Sequence, residues 1–346
     1  MSKFEILVAP VEEALSGHDL LFDAAFGDPP YNMPKVEHRG EYEVRWGSID
    51  AEYWRAVVRS CKPGALVAAF SQNGTYLFEQ WRQMTDAGVG IFDVLAWLVG
   101  NSYAKASNIG HWIDKRHTEV EHRYHGPGWQ KTKPGVPELQ TPEGRRYGSY
   151  MSGMRGLWTP ILLGRTPYAG SLVGNVEGWD TGGLNVRDNL VRGEDYDRMP
   201  SNVLHSCLCD SDDSHDPDCP IEKLGKSSKY FYVSKANQAE RADADHPNVK
   251  PIGITRQLAA LFKPPVRPDG EPTRLLVPGS GVGSEVAGAL LAGWDEVVGI
   301  EINPEYAERS RSRIPRLVRE FGGTAVEAPI LDLYQGYEFK KGRVHQ

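Results

Sequence analysis

Residues 274–301 read RLLVPGSGVGSEVAGALLAGWDEVVGIE, and this stretch decides the fold. The run Arg274–Val277 predicts a buried strand, and the glycines of residues 279–283 predict a tight turn. A helix is predicted over Ser284–Ala292 and a second strand over Val297–Ile300. A strand, a turn, a helix and a second strand in this order form a βαβ unit, so the stretch predicts an α/β fold with a parallel sheet covered by helices.

The glycine turn of this unit favours the binding of a nucleotide-like ligand. Gly279, Gly281 and Gly283 allow a ligand to approach the backbone closely at the point where a helix begins. Glu301 ends the next strand, where its carboxylate is placed to bind the two hydroxyls of a ribose. A nicotinamide dinucleotide is disfavoured because Ser284 breaks the G-x-G-x-x-G pattern. A tight turn that only packs the helix on the strand is the alternative.

The N-terminal part of the chain shows the same alternation of strand and helix. Phe22–Phe26 predicts a buried strand, and the two prolines that follow it cannot continue a ladder of hydrogen bonds. The motif Asp28-Pro29-Pro30-Tyr31 therefore stands at the carboxyl end of this strand. Further helices are predicted over Ile6–Leu15, Ala51–Cys61, Tyr76–Thr85, Ile254–Phe262 and Pro304–Arg319, and further strands over Ala65–Phe70 and Phe92–Val99.

The motif at residues 28–31 suits chemistry on a planar amino group. An exocyclic amino group of adenine or cytosine is a poor nucleophile, because its lone pair is delocalised into the ring. The Asp28 carboxylate and the Pro29 carbonyl could each accept one N–H, while the prolines fix both oxygens and Tyr31 stacks on the base. A base in a duplex has to be flipped out to reach such a loop. An ordinary proline-rich turn after a strand is the alternative.

Residues 101–245 lack the alternation of strand and helix, which indicates an inserted region. Within it, residues 101–170 carry ten basic and five acidic side chains, although the whole chain has a formal net charge of −7. Aromatic residues alternate with the basic ones, as expected where phosphates are neutralised and bases are stacked. A solvated loop region with scattered charge is the alternative. The basic residues are Lys105, Lys115, Arg116, Arg123, Lys131, Lys133, Arg145, Arg146, Arg155 and Arg165, and the aromatic ones are Trp112, Tyr124, Trp129, Tyr147, Tyr150 and Trp158.

The composition points to a soluble globular protein. The chain has 346 residues, of which 40% are apolar and 25% charged. It contains no apolar run long enough to span a membrane, and its first residues lack the order of a signal peptide. We therefore expect a cytoplasmic protein without a membrane partner.

The cysteines do not indicate a metal site. Four cysteines without framework spacing fit a reducing compartment. Five residues lie close enough in sequence to bind zinc, but their Cys-x-Cys spacing differs from the usual Cys-x₂₋₄-Cys of structural sites. Reduced thiols without metal are therefore favoured, and zinc is the alternative. The five residues are His205, Cys207, Cys209, His215 and Cys219.

The order of these signals resembles one known family. A DPPY loop, a variable central region, HPNVKP at residues 246–251, a glycine loop and GIEINPEY at residues 299–306 follow one another as in the circularly permuted β-class amino methyltransferases of bacteria and phages. Three further stretches are similar to phage-type members of that family. They are NSYAKASNI at residues 101–109, PILLGR at residues 160–165 and TGGLN at residues 181–185.

The resemblance implies a fold and a division of the chain. The fold would be the Rossmann-like methyltransferase fold, with a mostly parallel twisted sheet in permuted order. Residues 1–100 would form the catalytic half, residues 101–245 an inserted target-recognition region, and residues 246–346 the cofactor-binding half.

The resemblance also implies roles for individual residues. Asp28, Pro29, Pro30 and Tyr31 would form the catalytic loop. Lys250 is expected near the charged end of the cofactor, and a capped turn that only leads into a helix is the alternative. The residues in contact with S-adenosylmethionine would be Gly279, Gly281, Gly283 and Glu301.

The implied partner is duplex DNA with a flipped base, in a bacterial or phage-infected cell, as in restriction–modification. Asp rather than Ser at position 28 favours methylation of adenine N6 over cytosine N4 within the family. A cytosine-N4, RNA or protein-glutamine substrate is one alternative, and a DNA-binding relative that has lost turnover is another. The second alternative depends on Val277-Pro278-Gly279, which replaces the Asp-Pro-Phe usual in the family and could reduce cofactor affinity. A homodimer and a companion nuclease stay open.

Overall fold

A computed structural model describes residues 2–30, 37–39, 42–44, 49–99, 107–118, 139–153, 158–190, 199–206, 236, 238–241 and 249–331. The strands are β1 Ser2–Val8, β2 Phe22–Gly27, β3 Glu37–Arg39, β4 Tyr42–Val44, β5 Cys61–Phe70, β6 Gly90–Val99, β7 Trp158–Arg165, β8 Val203–Ser206, β9 Arg274–Pro278, β10 Glu296–Glu301 and β11 Ala325–Glu327. The α-helices are α1 Val11–Ala14, α2 Ala51–Ser60, α3 Thr75–Asp86, α4 Ile109–His117, α5 Pro142–Arg146, α6 Leu172–Trp179, α7 Gln238–Arg241, α8 Ile252–Phe262, α9 Ser284–Leu291 and α10 Pro304–Glu320.

One nine-stranded sheet organises the structure, in the order β11-β1-β10-β9-β2-β5-β7-β6-β8. Neighbouring strands are parallel except at β7, which is antiparallel to both β5 and β6. β3 and β4 form a separate antiparallel pair. The predicted α/β class with a mostly parallel sheet is confirmed.

Helices cover both faces of this sheet. On one face, buried residues of α8, α9 and α10 such as Leu258, Val286 and Leu317 pack against the strands. On the other face, α2 and α3 contribute Trp54 and Met84 to a second apolar cluster. Because both faces are covered, the central strands are mostly apolar, as is usual for parallel sheets.

The ends of two helices show why the sequence forms them where it does. Asp50 is the N-cap residue of α2, and its carboxylate accepts a hydrogen bond from the backbone N–H of Glu52 at 2.8 Å. Asn303 is the N-cap residue of α10 in the same way. Pro304 occupies the first helical position, where its missing N–H costs no hydrogen bond within the helix. These caps fix α10 directly after Glu301.

The N-terminal element differs from its prediction. A helix was predicted over Ile6–Leu15, but Ser2–Val8 forms strand β1 between β10 and β11, and only Val11–Ala14 is helical. Phe4 and Ile6 of β1 pack in one apolar cluster and Leu7 in the other, so the end of the strand, residues 6–8, is a continuous apolar run. A short apolar run of this kind cannot be distinguished from a buried helix by its periodicity.

The central region contributes to the sheet. Strand β7 lies inside residues 101–245, for which the sequence showed no regular alternation, and it pairs with β5 and β6 through the run PILLGR. Strand β8 from the same region pairs with β6. The three-part division of the chain stays a prediction, but the central region supplies an internal strand as well as connecting segments.

No helix in the described ranges combines the length and the apolar character that a membrane span requires.

Candidate functional site at the carboxyl edge of the sheet

The strand order creates a crevice between β2 and β9. These strands are parallel neighbours, with Ala24 beside Leu275 and Ala25 beside Leu276. From β9 the chain passes through α9 to β10 on one side, and from β2 it passes through α2 to β5 on the other side. The loops that follow β2 and β9 therefore diverge from a common point at the carboxyl edge. Open α/β sheets bind their ligands at such a switch point.

The glycine loop after β9 has a backbone that favours glycine. The φ angles of Gly279, Gly281 and Gly283 are +70°, +52° and +81°, in the left-handed region that side chains rarely adopt. A Cβ atom at Gly283 would lie 2.8 Å from the Ile314 side chain of α10. The loop thus requires glycine to make its turn and to pack under α10.

The loop after β2 lies against this glycine loop. A Cβ atom at Gly279 would be 3.7 Å from both the Asp28 carbonyl oxygen and the Pro29 Cα. One residue earlier, a Cβ at Gly27 would approach the Pro278 carbonyl oxygen to 2.5 Å. The structure therefore brings Asp28 and Pro29 into contact range of the glycine loop. Pro30 follows them in the described chain, whereas Tyr31 lies outside the described residues.

Glu301 faces the glycine loop from the end of β10. One carboxylate oxygen accepts a hydrogen bond from Gly281 N at 2.8 Å, and the other accepts one from Asn303 N at 2.8 Å. Burial raises the pKa of Glu301, and these backbone N–H groups act in the opposite direction. Each carboxylate oxygen has a second lone pair. The carboxylate is thus held in one orientation and retains the capacity to accept hydrogen bonds from hydroxyl groups.

Lys250 forms an ion pair with Asp28. The Lys250 ammonium donates to Oδ2 of Asp28, and the two side chains are 8% and 12% exposed. The same ammonium lies 4.7 Å from the ring centroid of Phe70, at the carboxyl end of β5. A cation over an aromatic face is an attractive arrangement. Sequence reasoning linked Lys250 to the cofactor, and the structure places its ammonium on Asp28. His246, Pro247 and Asn248 of the same HPNVKP segment lie outside the described residues.

Tyr53 of α2 belongs to this site, although no sequence motif indicated it. Its hydroxyl would lie 3.6 Å from a Cβ atom at Gly279. The hydroxyl is buried and has no hydrogen-bond partner within the described part of the chain. Burial, followed by the negative charges of Glu12, Glu301 and Asp28, raises the pKa of Tyr53 well above its usual value. In the sequence, Tyr53 stands beside Trp54 in an amphipathic helix and has the pattern of a core residue.

Glu285 is a second residue that sequence reasoning missed. It lies in the first turn of α9, directly after the glycine loop, and it is buried. Burial raises its pKa to about 7, Asp28 adds to this effect, and Lys250 and Arg313 oppose it. An acidic residue at the start of an otherwise apolar helix was the signal in the sequence.

Arg313 of α10 connects the glycine loop to α7. Its guanidinium donates to the Val282 carbonyl at 2.8 Å, to Ser284 Oγ at 3.1 Å, and to the Glu240 carbonyl. The Glu240 carboxylate in turn accepts a hydrogen bond from Ile252 N at 2.8 Å. Burial lowers the pKa of Arg313 to about 10. These contacts fix the start of α8, and with it the segment that carries Lys250, relative to the glycine loop.

The described part of the basic central stretch forms a braced pair of helices, α4 and α5. The buried Asp114 carboxylate of α4 accepts hydrogen bonds from Gln140 N at 2.5 Å, Thr141 N at 3.1 Å and Thr141 Oγ1 at 2.6 Å. Thr141 also caps α5. The pair exposes basic side chains and two large aromatic ones, Trp112 and Tyr150, which are 64% and 59% exposed. The exposed basic residues are Lys115, Arg116, Arg145 and Arg146.

Several sequence-based expectations fall outside the described residues. Among the predicted basic residues these are Lys105, Arg123, Lys131, Lys133 and Arg155, and among the predicted zinc ligands Cys207, Cys209, His215 and Cys219, together with the side chain of His205. Cys61 is buried, and burial raises the pKa of its thiol. Within the described ranges, no three or more His, Cys, Asp or Glu side chains are grouped so that they could hold a metal ion.

The sequence matches no protein-family model and no curated protein. Three solved structures are similar to this chain. A protein from Thermus thermophilus named as a DNA modification methylase, in complex with S-adenosyl-L-methionine, is 14% identical over 94% of this chain and 100% of that chain, with a TM-score of 0.46. M1.HpyAVI in complex with SAM is 14% identical over 90% of this chain and 99% of that chain, with a TM-score of 0.44. The cytosine-N4-specific PvuII DNA methyltransferase is 13% identical over 94% of this chain and 95% of that chain, with a TM-score of 0.47. At these identities and TM-scores, the assignment of a function depends on the geometry of this chain's own residues.

Proposed function

We propose that this chain is a DNA methyltransferase that transfers a methyl group from S-adenosylmethionine to an exocyclic amino group, with adenine N6 as the target. One observation carries the proposal: the Asp28-Pro29 loop and the glycine loop lie against each other at the switch point of the sheet. A donor bound at the glycine loop and an amino group bound at Asp28 would therefore be neighbours.

The residues around the glycine loop fit S-adenosylmethionine. The oriented carboxylate of Glu301 can accept hydrogen bonds from the two ribose hydroxyls, and Gly279 and Gly281 leave the backbone open to close approach. The unpartnered hydroxyl of Tyr53 supplies a hydrogen-bonding group beside the same loop in the described part of the chain. The negative charges of Glu12, Glu301 and Asp28 act on Tyr53 beside this loop, and such a potential suits a ligand with a positively charged sulfur. The bound cofactor would supply an activated methyl group.

Asp28 and Pro29 would prepare the target amino group. The Asp28 carboxylate and the Pro29 carbonyl accept its two N–H groups, which draws the nitrogen lone pair out of the ring. Fixed acceptors of this kind lose no energy to reorganisation during the reaction. The side chain of Asp28 is 12% exposed, so it lies at the rim of the crevice and not in the apolar core. Tyr31 would stack on the flipped base and return about 1–3 kcal/mol of the unstacking cost.

Adenine N6 and cytosine N4 present the same pair of N–H donors, so the choice between them is the finer part of the proposal. Asp28 favours adenine through the family resemblance. The cytosine-N4 alternative uses the same residues in the same roles.

The exposed surface of the helix pair α4 and α5 is suited to contact with DNA. Exposed basic side chains beside exposed Trp112 and Tyr150 are suited to phosphate contacts and to stacking, in a chain whose net charge is −7. We assign DNA contact to this pair.

A catalytically weak relative is the competing function, because Val277 and Gly279 stand where the family resemblance implies an acidic residue and an aromatic one. Val277 is fully buried in an apolar cluster. A carboxylate is therefore missing at that point of the strand, and cofactor affinity decides between the two functions.

The test combines cofactor binding with methyl transfer. Calorimetry should show binding of S-adenosylmethionine by the full chain and a loss of binding in the Glu301→Ala variant. Duplex DNA incubated with the chain and labelled cofactor should then yield N6-methyladenine after digestion to nucleosides. N4-methylcytosine would retain the enzyme class and replace the target base. Binding of DNA without binding of the cofactor would establish the weak relative.

A further inference from the structure

We propose that Lys250 is a positioning residue: its ammonium supplies the counter-charge of the Asp28 carboxylate and fixes the orientation in which that carboxylate accepts the target N–H. The inference rests on the proposed function and assigns a further residue to the same site. It replaces the expected contact between Lys250 and the cofactor by a contact within the protein.

The geometry that supports this role is an ion pair between two almost buried side chains. Lys250 is 8% and Asp28 12% exposed, so water supplies little of the solvation that either charge needs. A buried charge that loses its partner is strongly destabilised. The Phe70 ring 4.7 Å from the ammonium limits where Lys250 can point, and Oδ2 of Asp28 is its hydrogen-bond acceptor. The pair therefore fixes one carboxylate oxygen of Asp28.

The backbone around Lys250 is also fixed. Val249 and Lys250 directly precede α8, whose first N–H is held by the Glu240 carboxylate. Val249 packs against Val282 of the glycine loop. The ammonium thus projects from a segment that is braced to the cofactor loop, and it reaches an aspartate 222 residues away in the sequence. A flexible surface lysine would not fix the orientation of a carboxylate in this way.

Other titratable groups surround the pair and must be separated from it in any pH experiment. Among the described residues, Glu285 of α9 interacts electrostatically with both Lys250 and Asp28, and burial raises its pKa to about 7. Tyr53 of α2 is coupled to Asp28 and Glu301 of β10. Arg313 of α10 is coupled to Glu285. Glu285 is the group among these whose titration falls nearest to neutral pH, so it requires its own control.

Two substitutions distinguish charge from shape. Lys250→Met keeps a long unbranched side chain and removes the ammonium, whereas Lys250→Arg keeps the positive charge. In Lys250→Met, the Asp28 carboxyl, which is only 12% exposed, has lost its counter-charge, and its limited contact with water then favours the protonated form. A protonated carboxyl group is a poor acceptor for the target N–H. The rate of methyl transfer should therefore fall most at low pH and recover as the pH rises.

The first experiment measures kcat and KM for S-adenosylmethionine between pH 6 and pH 9. We expect Lys250→Met to lower kcat about 100-fold at pH 6.5, the size expected when one oriented hydrogen-bonding group is lost, with recovery at pH 9. Lys250→Arg should regain most of the rate, and KM for the cofactor should change little in both variants. The same variants in a Glu285→Gln background should keep this pH dependence, since it arises from Asp28.

The second experiment uses thermal unfolding to measure how the ion pair of Lys250 and Asp28 contributes to stability, and it does not require methyl transfer. In Lys250→Met, the folded protein holds the Asp28 proton more tightly than the unfolded chain does, so stability relative to the wild type should fall as the pH rises from 5 to 8. Adding Asp28→Asn to Lys250→Met removes the carboxyl that has lost the Lys250 counter-charge and should raise the melting temperature at pH 8.

These results separate the inference from the proposed function. A rate that falls equally at every pH, or a large rise in KM for the cofactor with unchanged kcat, would overturn the positioning role and leave the methyltransferase intact. Absence of any methyl transfer by the wild type would remove the proposed function, while the unfolding experiment would still report on the pair. Equal melting temperatures of Lys250→Met and the double variant at pH 8 would overturn the inference in either case.

Discussion

Strand β2 carries an aspartate at each end, and the two lie in opposite environments. Asp23, near the amino end, has a fully buried side chain, whereas Asp28 follows the carboxyl end and is 12% exposed. Asp23 accepts hydrogen bonds from Arg267 and from the backbone N–H of Arg274 at 2.8 Å, and it forms an ion pair with Lys62 at 2.8 Å. Asp28 is paired with Lys250 at the rim of the crevice. One residue type on one strand therefore serves two purposes, and its surroundings decide which.

The surroundings of Asp23 are those of a structural group. Arg267 also donates to the Pro272 carbonyl at 3.0 Å, and Arg274 begins β9, so Asp23 joins β2 to the segment that leads into its neighbour. Asp28 is held instead by Lys250, and it follows β2 where the loop runs against the glycine loop. A fully buried carboxylate such as that of Asp23 thus indicates a role in stability, whereas a partly exposed carboxylate at a switch point, such as that of Asp28, indicates a role in chemistry.

The largest expected effect concerns the stability that Asp23 provides. Asp23→Ala should lower the free energy of unfolding by about 3–5 kcal/mol, because Lys62 would lose its ion-pair partner and Arg267 would keep only the more exposed Asp180. Denaturation in urea measures this change. As a matched control, Asp86→Ala removes the exposed ion pair of Arg82 and Asp86 and should cost less than about 1 kcal/mol. A similar small cost for both variants would contradict the structural role of Asp23.

The next effect concerns the rate of methyl transfer. Asp28→Ala should lower kcat about 100- to 1000-fold, the cost of losing one oriented group that stabilises a transition state. Binding of S-adenosylmethionine, measured by calorimetry, should persist, since Glu301 and the glycine loop are unchanged. Asp23→Ala, assayed at a temperature where it stays folded, should retain its rate per folded molecule. Equal losses of rate in the two variants would break the distinction between the two ends of β2.

Local sequence signals predicted the elements around this site. The glycine loop, the strand ending at Glu301 and the Pro304 start of α10 depend on turns and caps that involve only neighbouring residues. The position of Asp28 at the end of β2 depends on the prolines that follow it. These features were predictable because their physical causes lie within a few residues of one another.

The partners across the site were not predictable in the same way. Tyr53 reaches the site only because the sheet order places β2 beside β9, and no periodic pattern encodes that order. Glu285 follows the glycine loop directly, but its interactions with Asp28 and Lys250 depend on the same order. Lys250 was selected from a motif, but its pairing with Asp28 depends on the same long-range arrangement. Strand β7 was missed for a related reason, since it pairs antiparallel inside a sheet that the βαβ rhythm predicts to be parallel. The roles of these site residues stay predictions until the variants are measured.

A smaller effect concerns the pH dependence of cofactor binding. Burial raises the pKa of Glu285 to about 7, above its usual value of 4.5. A positively charged cofactor favours the ionised carboxylate, so affinity should rise roughly 10-fold between pH 6 and pH 8, and Glu285→Gln should flatten this dependence. The stability of the fold depends on pH in the opposite direction. Because the folded-state pKa is raised, the stabilising contribution is present at low pH and is lost as the pH rises from about 4.5 to about 7.

Calorimetry measures the cofactor affinity and thermal unfolding measures the stability, both over the same series of pH values. Wild type should lose more stability than Glu285→Gln between pH 5 and pH 8. An affinity that does not depend on pH in the wild type would separate Glu285 from the cofactor site. It would then resemble Asp23, as a buried acid with a structural role.

The smallest effect tests whether the crevice extends to Tyr53. Its buried hydroxyl has no partner in the described part of the chain, and an unsatisfied buried hydroxyl costs about 1–3 kcal/mol. Tyr53→Phe should therefore leave the unfolding free energy unchanged or raise it slightly, while cofactor affinity falls a few-fold because the ligand loses a hydrogen-bonding group. A structural tyrosine would show the reverse, with lower stability and unchanged affinity. That reverse result would place Tyr53 with Asp23 and limit the reactive end of β2 to Asp28, Lys250 and the glycine loop.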